Sequence, residues 1–280
     1  MLSFPNAKLN LGLHITARRP DGYHELETAF VPLPWTDALE VLPAPDAHPT
    51  TTLALTGRPV PGNPASNLCL KAYELLKTDF PHLPAVQLHL HKVVPIGAGL
   101  GGGSADAAFT LRCLNDLFGL QLTAAQLATY ARRLGADCAF FLENRPVLAV
   151  GKGDEFQPLS LDLGGTPCVV VWPGFAISTA EAYGRVRPQP PQHHLRHVLA
   201  EPLATWPGRV VNDFEAALTP IYPLLAEVRQ RLYAAGAAYA SLSGSGSAVF
   251  GLWKKGAKIP LLDWPAEFAV WTADLADFSG

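Results

Sequence analysis

The sequence predicts an α+β fold, because strand and helix signals follow one another without the regular alternation of a doubly wound sheet. The clearest strand signal lies at residues 7–15, where apolar and polar residues alternate with the period of a half-buried strand. Turn residues at 18–22 and a second strand over about 24–33 complete a hairpin. A glycine-rich loop then leads into a stretch with helical spacing at residues 104–119.

The other elements are predicted from the same two periodicities. Thr123 is a suitable N-cap and Gly135 a suitable stop for one further helix. Helices are also expected at 67–77 and 223–235, with another capped near 212–213, and strands at 86–95, 138–142, 169–172, 239–242, 248–253 and 268–272.

Composition indicates a globular chain of one or two domains. The 280 residues are 49% apolar and 16% charged, which is enough to bury a core. Lys and Arg number 21 against 24 Asp and Glu, so the net charge of -3 gives no basic surface for nucleic acid. We therefore expect no nucleic-acid partner, and a monomer or a homodimer as the assembly.

The sequence also favours a soluble cytoplasmic protein. Its first residues lack a signal-peptide pattern, and no apolar run reaches the length of a membrane span. The four cysteines are scattered among apolar neighbours, as expected for buried thiols in a reducing compartment. The proline-rich stretch at residues 187–194 is expected to be a surface loop.

The glycine-rich loop has the composition of a phosphate-binding site. Five of the seven residues from Gly97 to Gly103 are glycine, and a helix follows at once. Glycine allows successive amides to point into one concavity, and the helix N-terminus adds partial positive charge. Ser104 adds a hydroxyl in the first turn, as a donor or as a metal ligand.

Two other interpretations of this loop are less favourable. A flexible loop without a ligand would spend much conformational entropy for no use. The pattern G-x-G-x-x-G, through Gly97, Gly99 and Gly102, is typical of dinucleotide folds. However, it follows a long α+β segment and no acidic strand end comes about 20 residues later. A Walker A motif is absent.

A second glycine-rich turn, at residues 243–247, lies between two apolar strands. Alone it is equally compatible with a simple hairpin connection. Beside a phosphate-binding loop it becomes a candidate wall of the same site.

Three motifs together resemble the GHMP kinase superfamily, in the order of that family: PNAKLNLGL at 5–13, PIGAGLGGGSADAA at 95–108 and LSGSGSAVFG at 242–251. Two more stretches, RRPDGYHEL at 18–26 and LGADCAFFL at 134–142, narrow the resemblance to kinases acting on a cytidine-diphosphate-linked methylerythritol. The chain departs from their pattern at Cys138-Ala139, where Val-Pro is common, and at Ser243 and Ser245, where close relatives often carry Thr.

The resemblance implies a two-lobed kinase fold with its active site in the cleft between the lobes. Residues 1–155 would form the ATP-binding lobe and residues 156–280 the substrate-binding lobe. ATP would be the phosphoryl donor, with Mg²⁺ as the expected cofactor. The acceptor would be the 2-hydroxyl of the methylerythritol, in the non-mevalonate route to isoprenoid precursors.

Asp137 matches the family's catalytic base and Lys8 its partner. A carboxylate directly before the apolar segment 138–142, expected to be a strand, risks burial and needs a partner. Lys8 could keep it ionised and lower the pKa of a hydroxyl placed between them. A buried ion pair without catalysis is the alternative.

The remaining site residues follow from the resemblance. Those expected to contact ATP are Asn67, Lys92, Pro95, Gly97, Ala98, Gly99, Leu100, Gly101, Gly102, Gly103 and Ser104. Those expected to contact the substrate are Asn10, Tyr23, His24, Thr179, Tyr183, Gly244 and Gly246. Without the resemblance, Tyr23 and His24 would be an ordinary turn, Asn67 a helix N-cap and Lys92 a solvated strand-end lysine. No carboxylate cluster identifies the metal ligands.

Three competing functions remain open at this point. A GHMP kinase for homoserine or mevalonate would not need Tyr23 and His24. A nucleotide-dependent oxidoreductase would bind NAD in place of ATP. A non-catalytic module would bind ATP without consuming it.

Overall fold

The computed structural model describes residues 1–45 and 50–276, and within them it contains twelve strands and eight α-helices. The strands are β1 (Leu2–Ser3), β2 (Asn6–Arg18), β3 (His24–Thr36), β4 (Ala38–Pro43), β5 (Thr52–Gly57), β6 (Val86–Lys92), β7 (Val147–Val150), β8 (Glu155–Pro158), β9 (Pro167–Trp172), β10 (Tyr239–Leu242), β11 (Val249–Leu252) and β12 (Ala269–Asp274). The helices are α1 (Leu68–Asp79), α2 (Gly102–Leu117), α3 (Ala124–Leu134), α4 (Phe140–Glu143), α5 (Thr179–Arg185), α6 (Leu195–Leu199), α7 (Asp213–Leu218) and α8 (Pro223–Ala234).

The chain forms two compact units, each built from segments that are not consecutive. The first unit comprises Met1–Ala7, Trp35–Ile96 and Gly101–Asn144. The second comprises Lys8–Pro34, Gly97–Leu100 and Arg145–Gly280. The division into lobes at residue 155 stays a prediction.

The first unit pairs one sheet with the four helices α1 to α4. The sheet has the order β1-β4-β6-β5, and its strands are antiparallel except for the parallel pair β5 and β6. In β6 the apolar side chains are buried and the intervening polar ones exposed, as the alternation predicts, until Lys92 is buried at the strand end. Helices α1, α2 and α3 pack on one another. The sequence did not predict β1, β4 and β5 of this sheet, nor β7 and β8 of the second unit.

Capping residues explain where these helices begin. The side chain of Asn67 accepts a hydrogen bond from the amide of Cys69 and starts α1. Thr123 and Gln126 form a reciprocal capping box at the start of α3, which ends before Gly135 as predicted. The helix α2 starts two residues earlier than expected, after Gly101, whose φ of 71° is accessible to glycine without strain.

The second unit contains two further sheets, with the orders β2-β3-β7-β8 and β10-β11-β9-β12. The interior strand β9 is buried along almost its whole length, as its unbroken apolar sequence indicates. Helices α7 and α8 contact β10, and α8 also contacts β11. The core between these elements includes Val169, Val171, Phe214 and Leu232.

The first long strand is buried on both faces, which corrects the expectation of a half-buried strand. Residues 6–15 of β2 are all buried, including the polar side chains of Lys8, Asn10 and His14. The polar face is covered by segments far along the chain. A Cβ added at Gly12 would lie 2.4 Å from Leu195 Cδ2, and the amide of Leu13 donates to the carbonyl of Val211.

The prediction of a strand at residues 138–142 was wrong. This segment forms a turn followed by the short helix α4 (Phe140–Glu143). The amide of Cys138 donates to the carbonyl of Gly135, and that of Phe140 to Asp137. Phe140 and Phe141 are both buried. A short apolar run fits a buried helix as well as a strand, so periodicity alone could not decide.

Other expectations about the chain were met. All four cysteines are buried and free of disulfides. Residues 187–194 form a loop whose Gln189 amide donates to the carbonyl of Ile15. Across the described ranges, 1–45 and 50–276, no helix combines the length and the apolar character that a membrane crossing demands.

The capping box of α3 gives a stability prediction. Thr123 Oγ1 accepts from the Gln126 amide, and Gln126 Oε1 accepts from the Thr123 amide. We expect Thr123→Ala to lower the free energy of unfolding by about 1 kcal/mol in urea denaturation, because it leaves the Gln126 amide without its side-chain acceptor.

Thr129→Ala is the matched control on the same helix. Thr129 Oγ1 donates only to the carbonyl of Ala125, within the helix. This variant should be neutral or slightly more stable, since alanine has the higher helix propensity. Equal losses in the two variants would contradict a role for the capping box.

Candidate active site

The glycine-rich loop is held through its backbone carbonyls. Three successive carbonyl oxygens, at residues 98–100, each accept a hydrogen bond from elsewhere in the second unit. The donors are the amide of Ala248 to Ala98, the Lys8 ammonium and Ser243 hydroxyl to Gly99, and the amide of Lys8 to Leu100. Because the carbonyl and the following amide of a trans peptide point in opposite directions, the next amides face away from these donors. Such an arrangement is suited to binding an anion.

Side chains and glycines alternate along this loop. Ala98 and Leu100 are each 1% exposed, whereas Gly97 is exposed. Gly99 has a φ of 75°, and a Cβ there would lie 1.9 Å from the carbonyl oxygen of Ser243. Only glycine fits this position, both for its backbone conformation and for the close approach of another backbone.

The second glycine-rich turn packs on the loop. The turn connects β10 and β11, and the hydroxyl of Ser243 bridges the Asn10 amide and the Gly99 carbonyl. A Cβ on Gly244 would lie 3.1 Å from Asn10 Oδ1 and 3.2 Å from the Gly99 oxygen. The turn is thus a hairpin connection and also a neighbour of the loop. Gly246 instead faces Leu242 and Ile177, and binding roles for both glycines stay predictions.

Lys8 and Asn10 share one face of β2 and are in direct contact, as their spacing predicts. The Lys8 ammonium donates to Asn10 Oδ1 and, over 3.1 Å, to the carbonyl of Gly99. It also lies 5.0 Å from the centre of the Phe30 ring. Asn10 is oriented in turn by donating to Thr28 Oγ1 at 3.0 Å. The ammonium is therefore fixed directly beside the glycine loop.

Asp137 lies in the turn before α4, in the first unit, where it is partly exposed. Its neighbours there are Ser104, Cys138 and Gly135. A Cβ added to Gly135 would lie 3.0 Å from Cys138 Sγ, 3.8 Å from Ser104 Oγ and 4.0 Å from Asp137 Oδ1. Gly135 has extended backbone, so lack of space is what favours glycine. The predicted pairing of Asp137 with Lys8, which belongs to the second unit, stays a prediction.

The Cys138 thiol is hydrogen-bonded to Ser104 of α2 and lies near the charge of Asp137. Burial raises its pKa to about 12, the charge of Asp137 adds to the shift, and a hydrogen bond with Ser104 opposes it. The thiol is thus protonated at neutral pH and packs between the serine and the carboxylate. The next residue, Ala139, is also buried and stands where the kinases that the sequence resembles commonly have proline.

Lys92 is the central residue of a buried charged cluster, not the solvated lysine considered above. Its ammonium donates to Asp37, in a close contact, and to Asp106 over 2.7 Å. All three side chains are at most 4% exposed. Burial lowers the pKa of Lys92, but Asp106 and Asp37 outweigh that effect and raise it above its ordinary value. Lys92 therefore carries a proton throughout the physiological range.

A cavity of about 180 Å³ in the first unit borders this cluster. It brings together three of the predicted ATP contacts, Asn67, Lys92 and Gly103, together with Asp106. Apolar side chains, among them Leu55, Leu68, Leu90 and Ile96, complete its lining. The side chain of Asn67 also caps α1, so it serves a structural role in addition to any contact with ligand.

The sequence reading missed Asp37 and Asp106. Each stands in an otherwise apolar setting: Asp106 among Ala105, Ala107 and Ala108, and Asp37 at the end of a buried strand. A lone carboxylate in apolar surroundings needs a cationic partner, and that signal could have pointed to Lys92.

Asp106 has the more strongly perturbed carboxyl. Burial raises its pKa to about 7, Lys92 opposes the shift and the charge of Asp37 adds to it. Its Oδ2 accepts from Lys92, while Oδ1 is buried without a hydrogen-bond partner among the described residues. A buried carboxylate oxygen without a donor is costly when charged, so its surroundings favour the protonated form of the carboxyl.

The residues expected to bind cytidine all lie in the second unit, and two of them, His24 and Tyr183, are in contact. The rings of His24 and Tyr183 are stacked with centroids 4.9 Å apart, and Tyr183 packs edge-on against Phe214. Tyr23 is 61% exposed, with the Lys152 ammonium 4.9 Å from its ring. Thr179 begins α5, four residues before Tyr183, and is exposed.

The His24 imidazole is suited to hydrogen bonding with a base edge. Burial lowers its pKa, and the positive charge of Arg18 adds to the shift. The ring is therefore neutral at pH 7 and has one donor and one acceptor.

Metal ligands are not identified by the geometry. Within residues 1–45 and 50–276, no three His, Cys, Asp or Glu side chains gather in a metal-binding group.

Comparison with known families gives two matches. Residues 67–144 match the model of the GHMP kinases N terminal domain, and residues 196–261 match that of the GHMP kinases C terminal domain. Among curated proteins, 4-diphosphocytidyl-2-C-methyl-D-erythritol kinase of Bacteroides fragilis is 47% identical over 272 residues, covering 97% of this chain and 99% of its own. The enzyme of that name from Cytophaga hutchinsonii is 49% identical over 253 residues, covering 90% and 92%.

Solved structures give the same result. A crystal structure of 4-(cytidine 5'-diphospho)-2C-methyl-D-erythritol kinase is 37% identical, covers 90% of each chain and has a TM-score of 0.75. A mevalonate kinase at 14% identity has a TM-score of 0.62 with 91% of each chain covered. The homoserine kinase of Cytophaga hutchinsonii, at 18% identity, has 0.60 with 90% and 86% covered. These similarities confirm the fold predicted from the sequence.

The raised pKa of Asp106 predicts a pH-dependent stability. The folded-state value of about 7 lies above the ordinary value of 3.8, so the folded protein retains this proton where the unfolded chain has released it. The resulting stabilisation is complete below about pH 4 and is lost as the pH rises through 7.

Asp106→Asn removes this titration and isolates its effect. The free energy of unfolding of the unmodified chain, minus that of the variant, should fall between pH 5 and pH 8 in urea titrations. A constant difference over this range would show that Asp106 titrates normally.

Proposed function

We propose that this chain, which belongs to the GHMP kinase family, transfers the γ-phosphoryl group of ATP to the 2-hydroxyl of 4-diphosphocytidyl-2-C-methyl-D-erythritol. The family matches confirm the resemblance seen in the three sequence motifs. The observation that carries the choice of substrate is the near full-length identity, 47% over 97% of the chain, to a curated kinase of that name. The reaction is a step of the non-mevalonate route to isoprenoid precursors.

The glycine loop supports the ATP assignment. The amides that follow the fixed carbonyls of residues 98–100, and the N-terminus of α2, supply donors and partial positive charge for the phosphates. The cavity that joins Asn67, Lys92 and Gly103 supports the placement of adenosine. The contacts predicted for Pro95, Gly101, Gly102 and Ser104 complete the proposed phosphate and nucleoside site.

Catalysis is assigned to Asp137 and Lys8. The Asp137 carboxylate would accept the proton of the 2-hydroxyl as its oxygen forms a bond to the γ-phosphorus. The bond from that phosphorus to the β,γ-bridging oxygen breaks, and ADP leaves. The Lys8 ammonium, fixed beside the Gly99 carbonyl, would favour the developing alkoxide and the ionised base. Asn10, which accepts from Lys8, would contact the methylerythritol.

The cytidine end is assigned to the aromatic group of the second unit. The exposed ring of Tyr23 has the Lys152 ammonium over one face, and its other face would stack on a base. The neutral His24 imidazole can hydrogen-bond the edge of that base. Tyr183 supports His24 through ring stacking, and Thr179, Gly244 and Gly246 are proposed as further contacts.

Mg²⁺ is the expected cofactor and would neutralise charge on the phosphates. Ser104 Oγ and Asp137 Oδ1 lie 3.8 Å and 4.0 Å from the position of a Cβ added to Gly135. Mg²⁺ commonly uses one or two protein oxygens besides phosphate and water, and hydroxyl and carboxylate oxygens are of the type it prefers. Ser104 is the proposed protein ligand. We also place the enzyme in the cytoplasm, in keeping with its four free buried thiols, as a monomer or a homodimer.

A panel of acceptors tests the proposed substrate. We expect ADP release, coupled to NADH oxidation, with 4-diphosphocytidyl-2-C-methyl-D-erythritol and only background release with homoserine or mevalonate. Turnover of homoserine or mevalonate alone would overturn the assignment. ATP binding without turnover of any acceptor would indicate a non-catalytic module, and binding of NAD in place of ATP an oxidoreductase.

The catalytic assignment predicts a loss of turnover. Asp137→Asn and Lys8→Ala should each lower kcat by about two orders of magnitude or more, because the base or its cationic partner is removed. The measurement is steady-state kinetics, with circular dichroism to verify folding. Asp116→Asn, at an exposed site on α2, is the matched control and should leave kcat unchanged. Near-normal turnover in Asp137→Asn would exclude it as the base.

A further inference from the structure

Asp37 joins three groups at the entrance to the glycine loop. The residue lies between β3 and β4 and is 1% exposed. Its Oδ1 accepts from two successive amides, those of Val93 at 2.6 Å and Val94 at 2.9 Å. Its Oδ2 accepts from the Lys92 ammonium. One carboxylate thus holds both the side chain of Lys92 and the two residues that follow it.

These contacts fix the point where β6 ends and the loop segment begins. Val93 and Val94 directly precede Pro95, the first residue of the predicted phosphate-binding stretch. The Val94 amide is buried at the strand end and needs an acceptor, and the Asp37 side chain supplies one for it and for the Val93 amide. The carboxylate bonds to charged and amide donors at once, which makes these bonds stronger than neutral ones.

The position of Lys92 is electrostatically demanding. A Cβ added at Gly102 would lie 3.3 Å from Lys92 Nζ, so the ammonium is beside the first residue of α2. A positive charge at a helix N-terminus is unfavourable, and burial adds to the cost. Two carboxylates, Asp37 and Asp106, compensate it. Without one of them, the ammonium would be expected to shift away from the helix.

We propose that Asp37 is a positioning residue for nucleotide binding. It acts through Lys92, which lines the cavity assigned to adenosine, and through the amides of Val93 and Val94 before the loop. Asp37 itself is not part of the cavity lining. This role rests on the proposed function, because it deepens the ATP site described above.

The alternative is that Asp37 serves only the stability of the fold. The two roles differ in what they do to kinetics. A stability role lowers the melting temperature without changing the affinity of the folded fraction for ATP. A positioning role raises KM for ATP while kcat and KM for the phosphoryl acceptor stay nearly unchanged.

Asp37→Asn is the principal test, since it keeps an acceptor for the amides and removes the charge that faces Lys92. We expect KM for ATP to rise about tenfold, as for the loss of a charged hydrogen bond, with kcat within about threefold of the unmodified chain. Asp37→Glu keeps the charge on a longer side chain and should raise KM in the same direction. It provides the result if Asp37→Asn does not fold.

Asp213→Asn is the matched control. Asp213 is another buried carboxylate that accepts from a backbone amide, that of Ile15, and belongs to the second unit. The Asp213→Asn variant should have a lower melting temperature but an unchanged KM for ATP. An unchanged KM for ATP in the folded Asp37 variants, with only a lower melting temperature, would overturn the positioning role. If the unmodified chain itself fails to use ATP, the proposed function falls, and that outcome is seen before any variant is made.

Discussion

The hydrogen bonds that hold the carbonyls of residues 98–100 are the constraint on which the candidate site depends. They come from β2 and from the segment around β10 and β11, so residues some 90 and 150 positions away fix one short loop. Glycine permits the turns, but glycine alone would leave the amides free to reorient. The groups that donate to these carbonyls hold each peptide in one orientation, so the following amides face away from the donors. Fixed amides of this kind are the preorganisation that anion binding needs. Lys8 supplies two of these donors, from its amide and from its ammonium.

This arrangement gives Lys8 two functions, one for its backbone and one for its side chain, at the same place in the site. As part of β2 it secures the loop, and as a side chain it brings a positive charge to the same place. Asn10 belongs to the same set of hydrogen bonds. Its side chain accepts from the Lys8 ammonium, and its backbone amide donates to the hydroxyl of Ser243, which in turn donates to the carbonyl of Gly99. The polar residues of one strand therefore form a connected hydrogen-bonded group around the loop.

Much of the fold could be read from local pattern. The periodicities placed the long strands and helices, and Thr123 and Gly135 marked the ends of α3 as the structure has them. The segment at 138–142 failed because a short apolar run carries no decisive period. The burial of Lys8 and His14 was not predicted either. The alternation of residues describes β2 alone, whereas this burial depends on the segment near residue 211 that covers the strand. Tertiary packing, not local sequence, decides both.

The candidate site likewise has a part that local sequence predicts and a part that depends on tertiary packing. Motif spacing identified the loop and its partner turn, and the structure brings Lys8 together with Asn10 and His24 with Tyr183. Asp37 was missed because it lies outside the glycine and lysine motifs. Asp106 belongs to the glycine-rich motif at 95–108, but the phosphate-binding role of that motif was assigned to its glycines and Ser104, and the carboxylate was given no role. Each of the two is nevertheless a charge in apolar surroundings. Their meeting at Lys92 joins positions 37, 92 and 106, a coincidence of topology that no linear pattern contains.

The burial of the four cysteines has a practical consequence. Burial is the main cause that raises the pKa of each thiol, so almost no thiolate exists in the folded protein at neutral pH. Alkylating reagents attack the thiolate, and so the native chain should resist modification until it opens. Cys69, Cys113 and Cys138 belong to the first unit and Cys168 to the second. The order in which these sulfurs become reactive in denaturant would show which unit opens first. The native cysteines serve as the probes, so no label has to be introduced.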